Sequence, residues 1–178
     1  FVVIISTSFS SISISLNKSD CYMLVITGVN NSGKSVYIKT AGLLALMVQA
    51  GIKLPAEKLV ISRQLFDRVV APYKQLESLS DNVSSHQAEL MNTGAVIEQS
   101  TQKTLVLFDD NIFGKTTEVK VEMAYLYAFL KCLWEKRSFV IGATHYTTIL
   151  KEIKDRIPEI QIYRIKALVK IEKKPDKV

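Results

Sequence analysis

Residues 28–35 read Gly28-Val29-Asn30-Asn31-Ser32-Gly33-Lys34-Ser35, which has the spacing G-x-x-x-x-G-K-S. This run follows Tyr22-Met23-Leu24-Val25-Ile26-Thr27, an apolar segment with the length of a buried strand. Glycines at positions 28 and 33 allow the backbone to fold around an anion with its N–H groups pointing inward. The pattern therefore predicts a phosphate-binding loop between a strand and a helix.

Two side chains of the loop suit a magnesium-bound nucleoside triphosphate. Lys34 can reach the β- and γ-phosphates as a point charge. The Ser35 hydroxyl can ligate Mg²⁺ at the start of the helix, whose dipole also favours negative charge. The residues that we expect to bind the nucleotide here are Gly28, Asn30, Asn31, Ser32, Gly33, Lys34, Ser35 and Val36.

Length and composition indicate one globular unit. A chain of 178 residues that is 48% hydrophobic is long enough for one well-buried core and too short for two comfortable domains. We therefore expect residues 1–178 to form a single domain. The chain begins at Phe1 rather than Met, which suggests a fragment of a longer chain.

The charge balance is basic, with 23 Lys and Arg against 17 Asp and Glu and a net charge of +6. This balance suits a polyanionic partner, although nucleotide binding alone also explains it. Many of the basic residues lie in the last third of the chain. There a solvated face or a frayed tail is favoured over a nucleic-acid-binding patch.

Cysteine usage and hydropathy exclude several classes of protein. Cys21 and Cys132 lie far apart with no CxxC spacing or nearby His cluster, which argues against a zinc site and a disulfide framework. No window approaches 18 uninterrupted apolar residues, and the opening segment lacks a basic region. We therefore expect an intracellular protein, cytoplasmic or nuclear, with neither a membrane span nor a signal peptide.

Hydrophobic periodicity predicts strands that alternate with helices. Residues 1–16 alternate with the period of a half-exposed strand. The helix after the loop should run from Lys34 to about Ala50, with Gly51 as its cap, and should be buried because it is apolar on most sides. Further strands are predicted in two short runs within 59–70, at 103–108 and at 139–143, with helices at about 86–100 and 118–136. This order predicts an α/β fold with a mostly parallel sheet and helices on both faces.

Three predicted strands end in polar residues, namely Thr27-Gly28, Asp109-Asp110 and Thr144-His145. Functional groups gather at the carboxyl ends of parallel strands, so we expect these residues to converge. Asp109 would hold Mg²⁺ and Asp110 would be the base that polarises the attacking water. An Asx turn or a helix cap is the alternative for the acidic pair. His145 could bond the γ-phosphate, although a lone His is more often structural.

These motifs resemble those of the MutS mismatch-repair family, in its ATPase domain. The resemblance covers nearly the whole chain and includes the loop with its Asn30, the segments 39–44 and 49–56, the acidic strand and Ala143-Thr144-His145-Tyr146. The serine-rich residues 78–86 resemble the second bacterial MutS subfamily, which carries a nuclease tail. Residues 157–161 look more like the mismatch-repair branch, so the subfamily stays open.

The resemblance implies an ABC-type ATPase fold with an antiparallel N-terminal part, working as a homodimer or heterodimer that buries two ATP molecules between subunits. It implies that Ser84 and Ser85 contact the γ-phosphate bound by the other subunit. Phe9 matches the aromatic residue that stacks on adenine, with a Phe of the core or surface as the alternative.

The chain also departs from the family pattern. The family has Glu where this chain has Asp110, and Asp is shorter by one C–C bond, about 1.5 Å. Only one Gly remains in residues 111–117, and the signature loop lacks the family's Gly-Arg. We therefore expect normal ATP binding and slow hydrolysis.

Three functions remain open from the sequence. The first is an ATPase module whose dimer closure controls nucleic-acid binding, DNA rather than RNA, through regions absent from this chain. The second is a degenerate assembly module that binds ATP without turnover. The third is an ATPase associated with ribosomes or other RNA, as implied by the second subfamily.

Overall fold

The computed structural model of the chain describes residues 2–6, 11–16, 22–29, 32–54, 58–60, 66–72, 85–109, 112 and 118–165. Their elements, in chain order, are β1 (Val2–Ser6), β2 (Ser11–Ser15), β3 (Met23–Thr27), α1 (Lys34–Gln49), β4 (Lys58–Val60), β5 (Arg68–Val70), α2 (Ser85–Gln99), β6 (Thr104–Phe108), α3 (Val119–Glu135), β7 (Phe139–Ala143), α4 (Thr147–Arg156) and β8 (Ile160–Arg164). Within this described part, no helix is long and apolar enough to cross a membrane.

The main sheet has five strands in the order β5-β6-β7-β3-β8, and every pairing in it is parallel. Parallel neighbours need crossover connections, which the helices supply. Helix α1 packs on one face, in a core cluster with Leu24 and Ile26 of β3. Helices α3 and α4 pack on the other face, in a cluster with Met23 and Val25. The predicted α/β class with a mostly parallel sheet is confirmed.

A second, smaller sheet is antiparallel, with the order β2-β1-β4. Val2 pairs with Ser15 in β2 and with Val60 in β4. The expected antiparallel N-terminal part is therefore present. Within the alternating stretch, Val2–Ser6 and Ser11–Ser15 form two strands that pair antiparallel, rather than one strand.

Helix α1 is only half covered, which corrects the expectation of a buried helix. Ile38, Ala41 and Leu44 are buried against the sheet. Val36 and Leu43, on the outer side, are 63% and 59% exposed. The prediction was wrong because an all-round apolar sequence does not say how many sides of a helix are covered, and α1 packs against β5, β6 and β7 on one side.

The end of α1 follows the sequence prediction closely. Gly51 has φ 69°, a left-handed conformation in which glycine carries no steric penalty. Its N–H donates to the Val48 carbonyl at 3.1 Å, and the Ile52 N–H donates to the Met47 carbonyl at 2.9 Å. This pair of bonds is the Schellman motif, which satisfies carbonyl groups that the helix leaves free.

Helix α4 and strand β8 were not predicted from the sequence. The amphipathic helix buries Leu150 and Ile153, and β8 pairs along the whole length of β3. The two elements extend the sheet beyond the phosphate-loop strand on the side opposite β7.

Helices α2 and α3 lie side by side with the same direction. Their final turns meet through two hydrogen bonds, from Lys136 Nζ to the Ser100 carbonyl at 3.3 Å and from Ser138 Oγ to the Thr101 carbonyl at 3.0 Å. Because α2 leads into β6 and α3 leads out of it, both helices begin at the edge where the parallel strands end.

Candidate functional site

Between β3 and α1 the structure describes Gly28, Val29, Ser32 and Gly33. The Ser32 N–H donates to the Val29 carbonyl at 3.3 Å. Gly33 has φ 91° and stands immediately before the first residue of α1. An L-residue is strained at that φ, so glycine is needed at position 33 for the loop to enter the helix.

Gly28 is required for a different reason, which is close packing. A Cβ atom at this position would lie 3.0 Å from Ser32 Oγ and 3.1 Å from the Ile165 carbonyl oxygen. The Ile165 carbonyl is backbone and cannot move away cheaply. Ile165, directly after β8, therefore packs on the start of the loop.

Lys34 is buried against the loop although it carries a charge, since only 6% of its surface is exposed. Its Nζ donates to the Gly28 carbonyl at 3.0 Å and to the Val29 carbonyl at 3.2 Å. These bonds hold the ammonium group beside the loop backbone, at the start of α1. An anion at this point would meet both the lysine charge and the positive end of the helix dipole.

Two buried hydroxyl groups beside the loop bear on whether a phosphate group could bind there. Thr27 Oγ1 and Ser32 Oγ are shielded from solvent, and neither has a hydrogen-bond partner among the residues that the structure describes. Buried polar groups are usually paired, and an unpaired one costs about 1 to 3 kcal/mol. Phosphate oxygens are strong acceptors for hydroxyl donors, so the donor set around the loop fits a phosphate.

The strand ends meet at one edge, as the sequence predicts. Strands β6, β7 and β3 are parallel neighbours, with Phe108 paired to Gly142 and Ile26 paired to Ala143. The Thr144 N–H continues this register by donating to the Ile26 carbonyl at 3.0 Å. The residues that follow the three strands therefore lie next to one another.

Asp109 lines a small cavity at this edge. The cavity has a volume of about 10 Å³, room for about one water molecule. Its lining residues are Phe108, Asp109, Ile112, Leu126, Ala143, Thr144 and Tyr146. Asp109 is half-buried.

His145 lies in a fixed turn at the surface. The Tyr146 N–H donates to Thr144 Oγ1 at 3.1 Å, and the Thr147 N–H donates to the His145 carbonyl at 2.9 Å. The imidazole is exposed and contacts the Tyr146 ring, with the ring centres 3.9 Å apart and the ring planes tilted by 41°.

Helix α1 brings a second aromatic residue close to the loop. Tyr37 follows Lys34 by three residues and is half-buried. Burial, with a smaller contribution from Tyr163 on β8, raises the pKa of Tyr37 to about 12. The phenol therefore stays neutral at physiological pH.

The structure describes only part of the predicted set of site residues. Gly28, Ser32, Gly33, Lys34, Ser35 and Val36 lie on the loop and the first turn of α1, Asp109 and His145 lie at the neighbouring strand ends, and Ser85 begins α2. The predictions for Phe9, Asn30, Asn31, Ser84 and Asp110 lie outside the described residues.

Three residues at the site were not assigned a role from the sequence. They are Thr27, Thr144 and Tyr146. Thr27 and Thr144 carry a readable signal, because each is a polar residue at the end of an apolar strand.

The proposed metal ligands form no dense cluster. Within the described part of the chain, no group of three or more His, Cys, Asp or Glu side chains is arranged to hold a metal ion. Mg²⁺ commonly takes only one or two protein ligands and completes its shell with waters and phosphate oxygens. Ser35 and Asp109, the two expected ligands, are each half-buried.

A parallel sheet with a glycine-rich loop between a buried strand and a helix defines a P-loop protein of the α/β class. Residues 24–177 match the family model for MutS domain V. The chain belongs to the MutS family.

Relatives come from both branches that the sequence left open. The DNA mismatch repair protein MutS of Dehalococcoides mccartyi is 30% identical over 163 residues, which is 89% of this chain and 18% of that protein. MutS of Thermotoga petrophila is 34% identical over 150 residues, covering 81% of this chain and 18% of that protein. Endonuclease MutS2 of Alkaliphilus oremlandii is 35% identical over 133 residues, covering 73% of this chain and 16% of that protein. The chain thus spans less than a fifth of the length of these relatives.

Proposed function

We propose that this chain binds Mg²⁺-ATP at the loop after β3 and hydrolyses it, and that ATP binding drives the closure of a dimer. The observation that carries the proposal is the donor set of the loop. The buried Lys34 ammonium lies at the start of α1, and the hydroxyls of Thr27, at the end of β3, and of Ser32, in the loop, have no hydrogen-bond partner within the described part of the chain. This set provides a positive charge, a helix dipole and hydrogen-bond donors for a polyphosphate.

Each residue of the site has a proposed role in phosphoryl transfer. Lys34 binds the β- and γ-phosphates, and Ser35 and Asp109 would hold Mg²⁺, which would supply positive charge to neutralise the phosphates. Asp110 orients a water molecule and accepts its proton as the water oxygen attacks the γ-phosphorus. The bond from that phosphorus to the bridging oxygen breaks, releasing ADP and phosphate. His145 donates a hydrogen bond to a γ-phosphate oxygen.

The dimer is supported by the family resemblance and by the position of α2. Ser85 is the first residue of α2, and α2 begins at the same edge of the sheet as the loop. In the proposed dimer, the serine pair Ser84 and Ser85 of one chain contacts the γ-phosphate bound by the other. Closure therefore depends on ATP occupying both sites.

Nucleic acid is the proposed target of the longer protein. The relatives are named for DNA mismatch repair and as endonucleases. We propose that ATP-driven closure of this domain controls how other regions of that protein grip DNA.

A second candidate function is favoured by one sequence feature. The family resemblance expects Glu at the position of Asp110. A shorter carboxylate holds the attacking water less well, so the chain would bind ATP and dimerise with little turnover. Steady-state phosphate release separates the two candidates.

The test uses Lys34→Ala with Lys39→Ala as the matched control. Lys39 is an exposed lysine on the same helix, one turn beyond the loop. We expect the Lys34 variant to lose at least tenfold in ATP affinity and to stay monomeric with Mg²⁺-ATP, whereas the control binds like wild type. Affinity is measured by calorimetry and mass by sedimentation. Equal ATP affinity in wild type and Lys34→Ala would refute the proposal.

A further inference from the structure

A groove lies between α3 and α4, on the side of the main sheet opposite α1. Its volume is about 240 Å³. The lining residues are Lys120, Met123, Ala124 and Tyr127 of α3 and Ile149, Glu152 and Arg156 of α4, all within the described part of the chain. Their spacing of three and four residues shows that one face of each helix lines the groove. None of them belongs to the proposed ATP site.

The floor of the groove is apolar. Tyr127 and Ile149 are partly buried and pack against the core cluster on this side of the sheet. Met123 is half-buried. Val119, one turn before Met123, is 54% exposed and extends the apolar surface towards the start of α3. An apolar side chain that displaced water from this floor would gain free energy.

The ends of the groove are positively charged. Arg156 reaches across from α4 to α3, and its guanidinium carbon lies 5.3 Å from the centre of the Tyr127 ring. A hydrogen bond to Tyr127 raises the pKa of Arg156, with a smaller contribution from the charge of Glu152. Lys120, the second residue of α3, is exposed at the other end. Two cations against one acid make a carboxylate the complementary group on a ligand.

The size of the groove limits what can occupy it. Stable interfaces between folded proteins use about 20 to 30 residues on each side, far more than line this groove. Pockets for small molecules usually have volumes of about 300 to 1,000 Å³, which is also larger. From Lys120 to Tyr127 the helix rises about 10 Å at 1.5 Å per residue. This length suits one large side chain of a peptide and its immediate neighbours.

We propose that the groove is a docking site for a short acidic segment of a partner protein. The segment places one large apolar side chain between Met123 and Ile149 and a carboxylate beside Lys120. The apolar anchor supplies affinity, and the carboxylate fixes the direction in which the segment lies. The inference does not rest on ATP binding, because the groove is formed without the loop and the strand ends.

The test pans a phage-displayed library of random dodecapeptides on the whole chain, with counter-selection against Ala124→Gln. Ala124 is an exposed residue of the groove, and glutamine adds a neutral side chain there that is well tolerated in a helix. The matched control is Ala128→Gln, because Ala128 is exposed one turn further along α3 and is not among the lining residues. Thermal unfolding checks that each variant is folded.

We expect the selected peptides to combine a large apolar residue with Asp or Glu. A synthetic copy of the most enriched peptide should bind wild type and Ala128→Gln equally in fluorescence anisotropy, and Ala124→Gln about tenfold less tightly, as for a blocked anchor position. Lys120→Glu should weaken binding about threefold to fivefold, the value of an exposed ion pair. A peptide with lysines in place of its carboxylates should prefer Lys120→Glu over wild type.

Several results would overturn the inference. Peptides without acidic residues, or with the same affinity for Lys120→Glu and wild type, would remove the charge complementarity. A library that yields no peptide sensitive to Ala124→Gln would show that the groove docks no such segment. Self-association of the chain in sedimentation that Ala124→Gln abolishes would assign the groove to a second copy instead.

Discussion

The ring of Phe108 fills the space above the Gly142 backbone. A Cβ atom at position 142 would lie 1.9 Å from Phe108 Cε1. The two residues are register partners on β6 and β7, directly before Asp109 and close to Thr144. The packing of an aromatic ring on a glycine therefore fixes the spacing of two strand ends that belong to the proposed site.

Gly142→Ala should destabilise the chain by about 2 kcal/mol, because an extra methyl group in a packed core forces side chains or backbone to shift. Gly94→Ala on α2 is the control, since nothing lies within 4 Å of its added Cβ. That control should gain about 0.5 to 1 kcal/mol from helix propensity. Urea unfolding measures both, and equal stabilities for the two variants would contradict the packing argument.

Ser32→Ala should reduce ATP affinity by about threefold to tenfold, the value of one hydrogen bond. It should leave the free energy of unfolding of the free chain unchanged or slightly higher, because the removed hydroxyl is buried without a partner among the described residues. Ser138→Ala is the contrast. Its hydroxyl donates to the Thr101 carbonyl at 3.0 Å, far from the loop, so its loss should lower stability and spare ATP affinity. ATP affinity is measured by calorimetry and stability by urea unfolding. The prediction is refuted if Ser32→Ala binds ATP like wild type.

Asp110→Glu should raise the rate of ATP hydrolysis about tenfold or more, because the longer side chain restores the reach of a catalytic base. ATP affinity should stay the same. The exposed Asp155 on α4 supplies the control Asp155→Glu. The rate of phosphate release is measured, and an unchanged or lower rate in Asp110→Glu would contradict the prediction.

Tyr37 should make stability depend on pH in the alkaline range. The pKa of Tyr37 is raised to about 12 in the folded chain, mainly by burial and further by Tyr163, against about 10 when unfolded. Because the pKa is higher in the folded chain, the contribution of the neutral Tyr37 phenol to stability is complete below pH 10 and is lost as pH rises through 12.

Between pH 9 and 11.5 wild type should therefore lose about 1 kcal/mol more stability than Tyr37→Phe, a figure reduced for partial exposure. Tyr163→Phe, at an exposed residue of β8, should change this slope less. Urea midpoints across this range provide the comparison. If the free energy of unfolding changed with pH in the same way for wild type and Tyr37→Phe, the phenol would have the same pKa in the folded and unfolded chain, and the prediction would be wrong.

The sequence predicted the loop, the three strand ends and the order of the central elements because these features are local. Gly28 and Gly33 stand where the backbone needs them, and β3 reads as continuous apolar sequence because both of its faces are covered. Helix α4 was missed because its charged residues outnumber its two buried ones, Leu150 and Ile153. A short helix of that composition looks like a loop.

Other features depend on tertiary neighbours that no periodicity reveals. Val36 and Leu43 are as apolar as the buried residues of α1, yet they face outward. Glu89 is the reverse case, since a glutamate on a helix normally indicates a solvated face and this one is buried. The sequence pattern identifies which residues can be buried, and the packing of neighbouring elements decides which of them are.

Hydrogen bonds from Lys136 and Ser138, just beyond α3, anchor Ser100 and Thr101 at the far end of α2, so any tilt of α2 would pivot about that end. Helix α2 has 15 residues and is about 22 Å long, so a tilt of about 5° about that pivot displaces Ser85 by roughly 2 Å. A slight tilt of α2 would therefore move the start of the helix far enough to exchange one hydrogen-bond partner for another. The anchored end would stay in register with the sheet.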